Sequence, residues 1–312
     1  MLPLDQCNGI TPTSLPATLL VQAARVRSPT VASCLKVWSP THGVVQSCSF
    51  AQLADHMLGA ALWLRDSTGL RDGDRLALLS HNSISYVAFS LGAMALGAAS
   101  VHLNWHNPPA TNEKLVSKLL PRLVLAAVPF HADAMALVTQ PTVRLELFEA
   151  IVGAGGLPLP VSVEAAKELR ASIAVLDTHR TAVILFTGGT TGTPKAVPHT
   201  HSNLLWLAAR CAEVLPEMPE TGACEERSGT IGFTPFFHVM GYVANFIYNL
   251  HVGCCAFILA NGATLTAPLL LHACRELRPA VLNTVPWVRA RRLRACACPS
   301  NCTSADLRLA SC

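Results

Sequence analysis

The clearest chemical signal in the sequence is a run of small, hydroxylated and basic residues, Thr-Gly-Gly-Thr-Thr-Gly-Thr-Pro-Lys, from Thr187 to Lys195. Glycines let successive backbone N–H groups turn toward one anion, threonine hydroxyls add donors, and a lysine neutralises phosphate charge. The run therefore predicts a loop that holds the β- and γ-phosphates of ATP while a nucleophile attacks the α-phosphate. The predicted nucleotide-binding residues are Thr187, Gly188, Gly189, Thr190, Thr191, Gly192 and Lys195.

Two other phosphate-binding loops do not fit this spacing. A Walker loop has Gly immediately before its Lys and Ser or Thr after it, whereas Pro194 and Ala196 flank Lys195. The dinucleotide fingerprint requires G-x-G-x-x-G, and here only Gly189 and Gly192 have part of that spacing. A flexible surface loop with a solvated lysine is the simpler alternative. It is disfavoured because a linker has no reason to carry this ordered set directly after an apolar strand.

Alternating strands and helices must position this loop. The apolar run Thr181–Phe186 predicts a buried strand before it, and His201–Val214 predicts the next helix after it. Ser49 and Gln52 have the spacing of a capping box that begins a helix ending at Gly69. Further strands are predicted at residues 75–79, 99–103, 123–128, 231–233, 256–259 and 281–285, and further helices at residues 83–96 and 111–120. This alternation predicts a doubly wound α/β fold.

Two segments differ from that pattern. The Gly- and Pro-rich stretch 153–160 predicts a surface connection between two subdomains. The stretch 288–312 is rich in Arg, Ala and Cys and has no periodicity. His199 and His201 are separated by one residue but have no Cys, Asp or Glu partner nearby, so His201 is interpreted as the start of a helix rather than as a metal ligand.

The loop resembles the signature of the adenylate-forming superfamily, the AMP-dependent synthetases and ligases that include acyl-CoA synthetases. Gly188 stands where many members have Ser, and Ala196 where many have Gly. Shorter segments resemble the family's other landmarks in the family's order: Phe50–Ala54, Gly73–Arg75, His81–Ser83, Leu96–Ala98, Pro235–His238 and Asn283–Pro286. The resemblance covers residues 37–287.

The resemblance implies an α/β fold of two doubly wound subdomains, those of an adenylate-forming enzyme's large N-terminal domain, incomplete at its C-terminal end. The predicted division is a loose segment at 1–36, a partial AMP-binding domain at 37–287 and a divergent tail at 288–312. The family's Tyr-Gly-x-Thr-Glu segment, ribose-binding Asp and mobile C-terminal domain with its lysine have no counterpart after Trp287. We therefore expect a truncated gene model, a frameshift or a retained-intron product.

The function that the resemblance implies is ATP-dependent activation of a carboxylic acid to an acyl-adenylate, followed by transfer to coenzyme A or another thiol. Lys195 and His238 are then the candidate catalytic residues, and Mg²⁺ would bridge phosphate oxygens near Thr190. For His238 the alternative is a partly buried histidine packed among aromatic rings. For the whole chain the alternatives are a noncatalytic fragment of such a ligase and a membrane protein.

Composition narrows these alternatives. A net charge of +4 over 312 residues indicates no basic face for nucleic acid. Residues 76–112 and 228–274 lack Asp, Glu, Lys and Arg, but His, Asn, Pro and Gly interrupt both, so no stable membrane span is expected. Most of the twelve cysteines are scattered, which predicts buried thiols rather than disulfides. Together these features predict an intracellular, cytoplasmic protein. The family resemblance implies that its partner is a small-molecule carboxylic acid.

Overall fold

The computed structural model describes residues 13–25, 33–152, 157, 159–188, 194–214, 229–232, 234–260, 266–279, 281–284 and 308–311. The strands are β1 Ser33–Ser39, β2 Gly43–Ser49, β3 Arg75–Leu79, β4 Ala99–His102, β5 Leu123–Ala126, β6 Arg144–Leu147, β7 Thr181–Thr187, β8 Lys195–Thr200, β9 Gly229–Gly232, β10 Cys255–Leu259, β11 Val281–Thr284 and β12 Arg308–Ser311. The α-helices are α1 Leu15–Arg25, α2 Phe50–Thr68, α3 Ile84–Ala95, α4 Pro109–Leu119, α5 His131–Leu137, α6 Phe148–Val152, α7 Val163–Ala174, α8 His201–Val214, α9 Tyr248–Val252 and α10 Ala267–Leu277. A short 3₁₀ turn spans Val128–Phe130, and a π-helix spans Met240–Ile247.

The strands form two six-stranded sheets. Sheet A has the order β12-β11-β9-β10-β1-β2, and sheet B has the order β6-β5-β3-β4-β7-β8. Neighbouring strands are parallel except for the edge pairs β1–β2 and β7–β8, which are antiparallel. Parallel sheets of this kind are covered on both faces, which explains the long apolar runs in the sequence.

Sheet B carries helices on both faces. Leu76 and Leu78 of β3 pack into the core that α2, α3 and α7 cover, whereas Ala77 and Leu79 pack on the opposite side with α4 and α5. Alternate residues of a strand point to opposite faces, so β3 is apolar from Leu76 to Leu79 because both faces are buried there. The doubly wound arrangement predicted from the sequence is confirmed.

The crossovers of sheet B place a topological switch point at its carboxyl edge. β3 and β4 are neighbours, and the helices that follow them, α3 and α4, pack on opposite faces. The chain therefore leaves the two strand ends in opposite directions. Residues 80–82 and residues 103–106 lie next to each other there, with the rings of His81 and Trp105 4.8 Å apart. We call this region the crevice of sheet B. In open α/β sheets such a switch point is where ligands bind.

Local sequence signals set the helix that supports this edge. The Ser49 hydroxyl accepts from the Gln52 N–H, and the Gln52 side chain accepts from the Ser49 N–H at 2.8 Å, which completes the predicted capping box at the start of α2. The helix ends at Gly69 as expected. Its buried face packs along α3, so α2 covers sheet B and holds α3 in place.

Two expectations about organisation are wrong. Residues 153–160 do not join the two sheets, because β6 before them and β7 after them both belong to sheet B. In the sequence, some strands of sheet A come before the strands of sheet B and others come after them. The Gly- and Pro-rich segment therefore connects two strands of sheet B. The glycine-rich loop was expected to extend from Thr187 to Val197, but Lys195–Thr200 form strand β8, which pairs with β7 as an antiparallel hairpin.

The terminal segments also contain structure that the sequence did not suggest. Leu15–Arg25, within the segment expected to be loose, is helix α1, and its apolar side chains are buried against the core. β1 starts at Ser33, ahead of the predicted boundary at residue 37. Arg308–Ser311, within the predicted divergent tail, pairs in parallel with β11. These elements are short or contain proline, which weakened their periodicity.

Candidate functional site

The hairpin β7–β8 holds the ends of the predicted phosphate loop. Thr187 and Lys195 are cross-strand partners, so the two ends of the predicted loop lie side by side. Both side chains are exposed, and a methyl group added at Gly188 would meet nothing within 4 Å. Gly189, Thr190, Thr191 and Gly192 lie outside the described residues, and the predicted metal contact of Thr190 lies outside them too.

The hairpin leads directly into α8, which begins at His201 as predicted. The His201 N–H donates to the Arg180 carbonyl, and its Nδ1 accepts from the Leu15 N–H at 3.3 Å. Burial lowers the pKa of His201 to about 4, against a smaller opposing effect of Asp177, so the ring is neutral at neutral pH. His201 therefore ties α1 to the base of the hairpin, and its Nδ1 lone pair is occupied.

A second predicted motif, Pro235–His238, crosses the crevice of sheet B. The Phe236 N–H donates to Asn82 Oδ1 at 2.8 Å, and Asn82 Nδ2 donates to the Thr234 carbonyl at 3.4 Å. Asn82 follows β3, whereas Thr234 follows β9 of sheet A. One buried amide thus joins the carboxyl edges of the two sheets, and the motif lies at their junction.

The start of the π-helix fixes the other end of the motif. A Cβ atom at Gly241 would collide with the carbonyl oxygens of Thr234 and Pro235, so only glycine lets the two segments approach this closely. The N–H groups of Gly241 and Tyr242 both donate to the His238 carbonyl at 3.0 Å. π-Helical turns are rare and are frequent at functional sites.

The His238 side chain lies on the exposed side of this turn. Its Nδ1 accepts from the Met240 N–H at 3.2 Å, which assigns the hydrogen of the neutral ring to Nε2. The protein around the ring removes part of its water and lowers the pKa of His238 below its ordinary value. At neutral pH the ring can therefore donate one hydrogen bond from Nε2 to an anion, and its Nδ1 is not available as a base.

An aromatic wall lines the crevice beside His238. Trp105, which follows β4, packs edge-on against His81 at 4.8 Å between ring centroids and against Phe237 at 5.9 Å. Phe130 also packs on His81 at 4.8 Å and contacts Trp105 at 5.9 Å between ring centroids. Burial first, and then the neighbouring His106, lower the pKa of His81. The wall is thus apolar and uncharged at neutral pH, which suits contact with the hydrocarbon part of a ligand.

Several predicted site residues come together and others do not. Thr187 and Lys195 form one cluster at the hairpin, and His238 belongs to a second cluster at the crevice. Among the described residues no hydrogen bond or ring contact links the two clusters. Sequence reasoning did not assign Asn82 or Trp105 to the site. Their positions just after β3 and β4 were the available signal, because polar and aromatic residues there face the carboxyl edge.

The described residues contain neither a membrane-spanning helix nor a cluster of metal ligands. No helix in that part of the chain is both long and apolar enough to cross a bilayer. The same residues contain no group of three or more His, Cys, Asp or Glu side chains placed to hold a metal ion. Cys34 and Cys48 lie side by side in the core as free thiols, with their sulfur atoms 3.8 Å apart.

Comparison with known proteins places this geometry in context. The family model described as AMP-binding enzyme matches residues 22–310. The long-chain-fatty-acid–AMP ligase FadD23 of Mycobacterium tuberculosis is 26% identical over 238 residues, which cover 73% of this chain and 37% of that protein. The oxalate–CoA ligase of Arabidopsis thaliana is 27% identical over 214 residues, covering 68% of this chain and 40% of that protein. The chain thus spans two fifths or less of the length of these two relatives.

A solved structure gives the same picture of the fold. The inhibitor-bound N-terminal domain of FACL13 from Mycobacterium tuberculosis matches with a TM-score of 0.69 and 22% identity, over 96% of this chain and 69% of that one. The two parallel-rich sheets described above are therefore the architecture of that N-terminal domain.

Proposed function

Because the chain belongs to the AMP-binding enzyme family, we propose that it takes part in the ATP-dependent activation of a carboxylic acid to an acyl-adenylate, with coenzyme A or another thiol as the acyl acceptor. In the first step a carboxylate oxygen bonds to the α-phosphorus of ATP. The bond from that phosphorus to the bridging oxygen breaks, and pyrophosphate leaves with the electron pair. In the second step the thiol displaces AMP from the acyl carbon and loses its proton.

The observation that carries the proposal is the hairpin at the carboxyl edge of sheet B. It presents an exposed ammonium, Lys195, opposite an exposed hydroxyl, Thr187, at the two ends of the glycine-rich segment. Ammonium, hydroxyl and backbone N–H groups are the donors that polyphosphate requires. Pyrophosphate departure concentrates negative charge, so preorganised cations and donors there would stabilise the transition state.

Mg²⁺ is the proposed companion of the nucleotide. Magnesium sites use few protein carboxylates and rely on phosphate oxygens and water. The described residues offer no carboxylate cluster that would hold the ion by itself. When bound, Mg²⁺ would neutralise phosphate charge, and Thr190 in the turn is the proposed protein contact.

His238 has a different proposed role, at the end of the crevice that receives the acid. With Nδ1 occupied by the Met240 N–H, the ring would donate from Nε2 to a carboxylate or phosphoryl oxygen. Trp105 and Phe237 beside it would contact the hydrocarbon part of the acid. The crevice lies at the switch point of sheet B, which supports it as the place where acid and nucleotide meet.

The test is pyrophosphate exchange into ATP with carboxylic acids of graded chain length. We expect exchange with at least one acid and a loss of about 10²-fold in Lys195→Ala, the size typical of removing one donor to a developing anion. Lys167→Ala is the matched control, because Lys167 is an exposed lysine on α7, away from the hairpin. Absence of exchange with every acid, or equal rates in both variants, would refute the proposal and leave a noncatalytic chain as the alternative.

A further inference from the structure

A buried polar cluster lies beneath the Pro235–His238 motif, and the proposed chemistry does not use it directly. His102 at the end of β4 is fully buried, as are Ser90 on α3 and Ser100 on β4. Tyr242 of the π-helix completes the cluster, and it too is fully buried. Four polar side chains in an apolar core require mutual hydrogen bonds, because an unpaired buried polar group costs about 1–3 kcal/mol.

Donor and acceptor counting assigns a direction to every bond. His102 Nδ1 lies 2.9 Å from the Phe236 carbonyl, which can only accept, so Nδ1 carries the hydrogen. Nε2 is then an acceptor, and Ser100 Oγ donates to it at 3.0 Å. Ser90 Oγ donates to Ser100 Oγ at 3.0 Å, and the Tyr242 hydroxyl donates to Ser90 Oγ at 2.8 Å. The chain of donors runs from Tyr242 to Phe236, and every hydroxyl hydrogen in it is used.

This cluster is not a nucleophilic dyad. Ser90 Oγ and His102 Nε2 are 3.2 Å apart, a separation that a serine nucleophile and its base could have. Both side chains are fully buried, however, and the Nδ1 partner is a backbone carbonyl rather than a carboxylate. No substrate can reach the hydroxyl. The cluster therefore acts on the protein and not on a ligand.

The cluster acts on the backbone of the motif. The Phe236 carbonyl is held by His102, and the Phe236 N–H is held by Asn82, so one peptide unit on each side of Phe236 is fixed to the carboxyl edge of sheet B. The rings of His102 and Tyr242 also pack edge to face at 4.4 Å. Burial lowers the pKa of His102 to about 3, so the neutral Nδ1–H form persists across the ordinary pH range.

We propose that His102 is a positioning residue for the reaction: its Nδ1–H fixes the Phe236 carbonyl and thereby sets the place of Phe237 and His238 at the crevice. The kinetic part of this inference rests on the ligase function proposed above, but the positioning itself does not. The serine and tyrosine hydroxyls keep the ring in the required tautomer.

Two substitutions test the roles of the two ring nitrogens of His102 separately. His102→Asn puts an amide N–H where Nδ1–H stands, so it keeps the bond to Phe236. His102→Gln reaches the Nε2 position instead, where its carbonyl can accept from Ser100, and leaves the Phe236 carbonyl without its donor. His56→Gln is the matched control, since His56 is another buried histidine, placed on α2.

Hydrogen–deuterium exchange of the full-length chain gives the first readout. In His102→Gln the backbone amides of residues 236–242 should exchange about tenfold faster, while those of β5 stay at the wild-type rate. His102→Asn and His56→Gln should match the wild type in the same segment. Unchanged exchange in His102→Gln, or equal loosening in His102→Asn, would overturn the proposal.

A measurement on the wild-type protein decides the matter even if a variant fails to fold. Nitrogen-15 NMR of the His102 ring should show a neutral imidazole with its hydrogen on Nδ1. A hydrogen on Nε2 would mean that the ring cannot donate to Phe236, and the proposal would fail.

Pyrophosphate-exchange kinetics then test the consequence for the reaction. His102→Gln should lower kcat about tenfold or more and leave KM for ATP unchanged, with His102→Asn close to the wild type. An equal kcat in all three proteins would overturn the kinetic part of the inference. If the wild type shows no exchange with any acid, the proposed function fails, and the amide-exchange and NMR results still decide whether His102 positions the motif.

Discussion

Replacing His102 with Asn should remove a large part of the protein's loss of stability in acid. In the folded protein burial lowers the pKa of this ring to about 3, from an ordinary value of 6.5. The unfolded chain therefore binds the proton more readily. The unfolding free energy that depends on His102 being neutral is fully present above about pH 6.5. It is lost as the pH falls from there toward about 3.

The two pKa values set the magnitude. Over the whole range the gap between them corresponds to about 5 kcal/mol of unfolding free energy, and about 2 kcal/mol of this is lost between about pH 7 and pH 5. Other buried histidines, such as His201, add to the total acid sensitivity but are present in both proteins. Between about pH 7 and pH 5, the unfolding free energy should therefore fall by about 2 kcal/mol less in His102→Asn than in the wild type.

Urea denaturation followed by circular dichroism at the two pH values measures this difference directly. A constant cost of the substitution cancels, because each protein is compared with itself. His42→Asn, on the exposed turn between β1 and β2, is the control for losing a histidine as such. Parallel pH dependence in the wild type and His102→Asn would refute the reasoning, since the buried ring would then not be the group that resists protonation.

Three further predictions follow from local geometry. Gly241→Ala should lower the unfolding free energy by about 1–3 kcal/mol in urea denaturation, because carbonyl oxygens occupy the space of the new methyl group. Gly188→Ala adds its methyl group in open space and should not lower the unfolding free energy. Equal effects of the two substitutions would contradict this prediction. Ser49→Ala should cost about 1 kcal/mol by the same measurement through loss of the capping box, and exposed Ser47→Ala should cost less; no difference would argue against the cap. His238→Asn keeps an acceptor at the Nδ1 position but has no Nε2–H, so it should leave the melting temperature unchanged and slow pyrophosphate exchange about 10²-fold; a wild-type rate would exclude the proposed donor.

Strands β3, β4, β5 and β7 of sheet B were predicted from local sequence signals, whereas β6 and β8 were not. β3 begins after the Asp72-Gly73 turn and gives way to a helix capped by Ser83, so both of its ends were readable. β8 was missed because Pro198 lies within it. Proline is tolerated there since β8 is an edge strand, a fact that depends on the sheet order and not on the local sequence.

The candidate site was predictable only in part. The motif around Lys195 could be found from residue order alone, because its chemistry is concentrated in one segment. The hydrogen bond from His102 to the Phe236 carbonyl could not be predicted, because the two residues are 134 positions apart and no local pattern links them. Residues 189–193 lie outside the described structure, so their individual contacts with nucleotide stay predictions, as do the division at residues 37 and 288 and the expected truncation.

The interrupted layout of sheet A has a consequence for synthesis on the ribosome. Leu35 of β1 is the partner of Ala256 of β10, so the first strands of this sheet leave the ribosome long before the strand that completes them. Sheet B, whose strands follow one another from residue 75 to residue 200, can assemble meanwhile. At ordinary elongation rates one edge of β1 waits for roughly 10–40 s. During that interval the unpaired edge of β1 is exposed to incorrect strand pairing and to binding by chaperones.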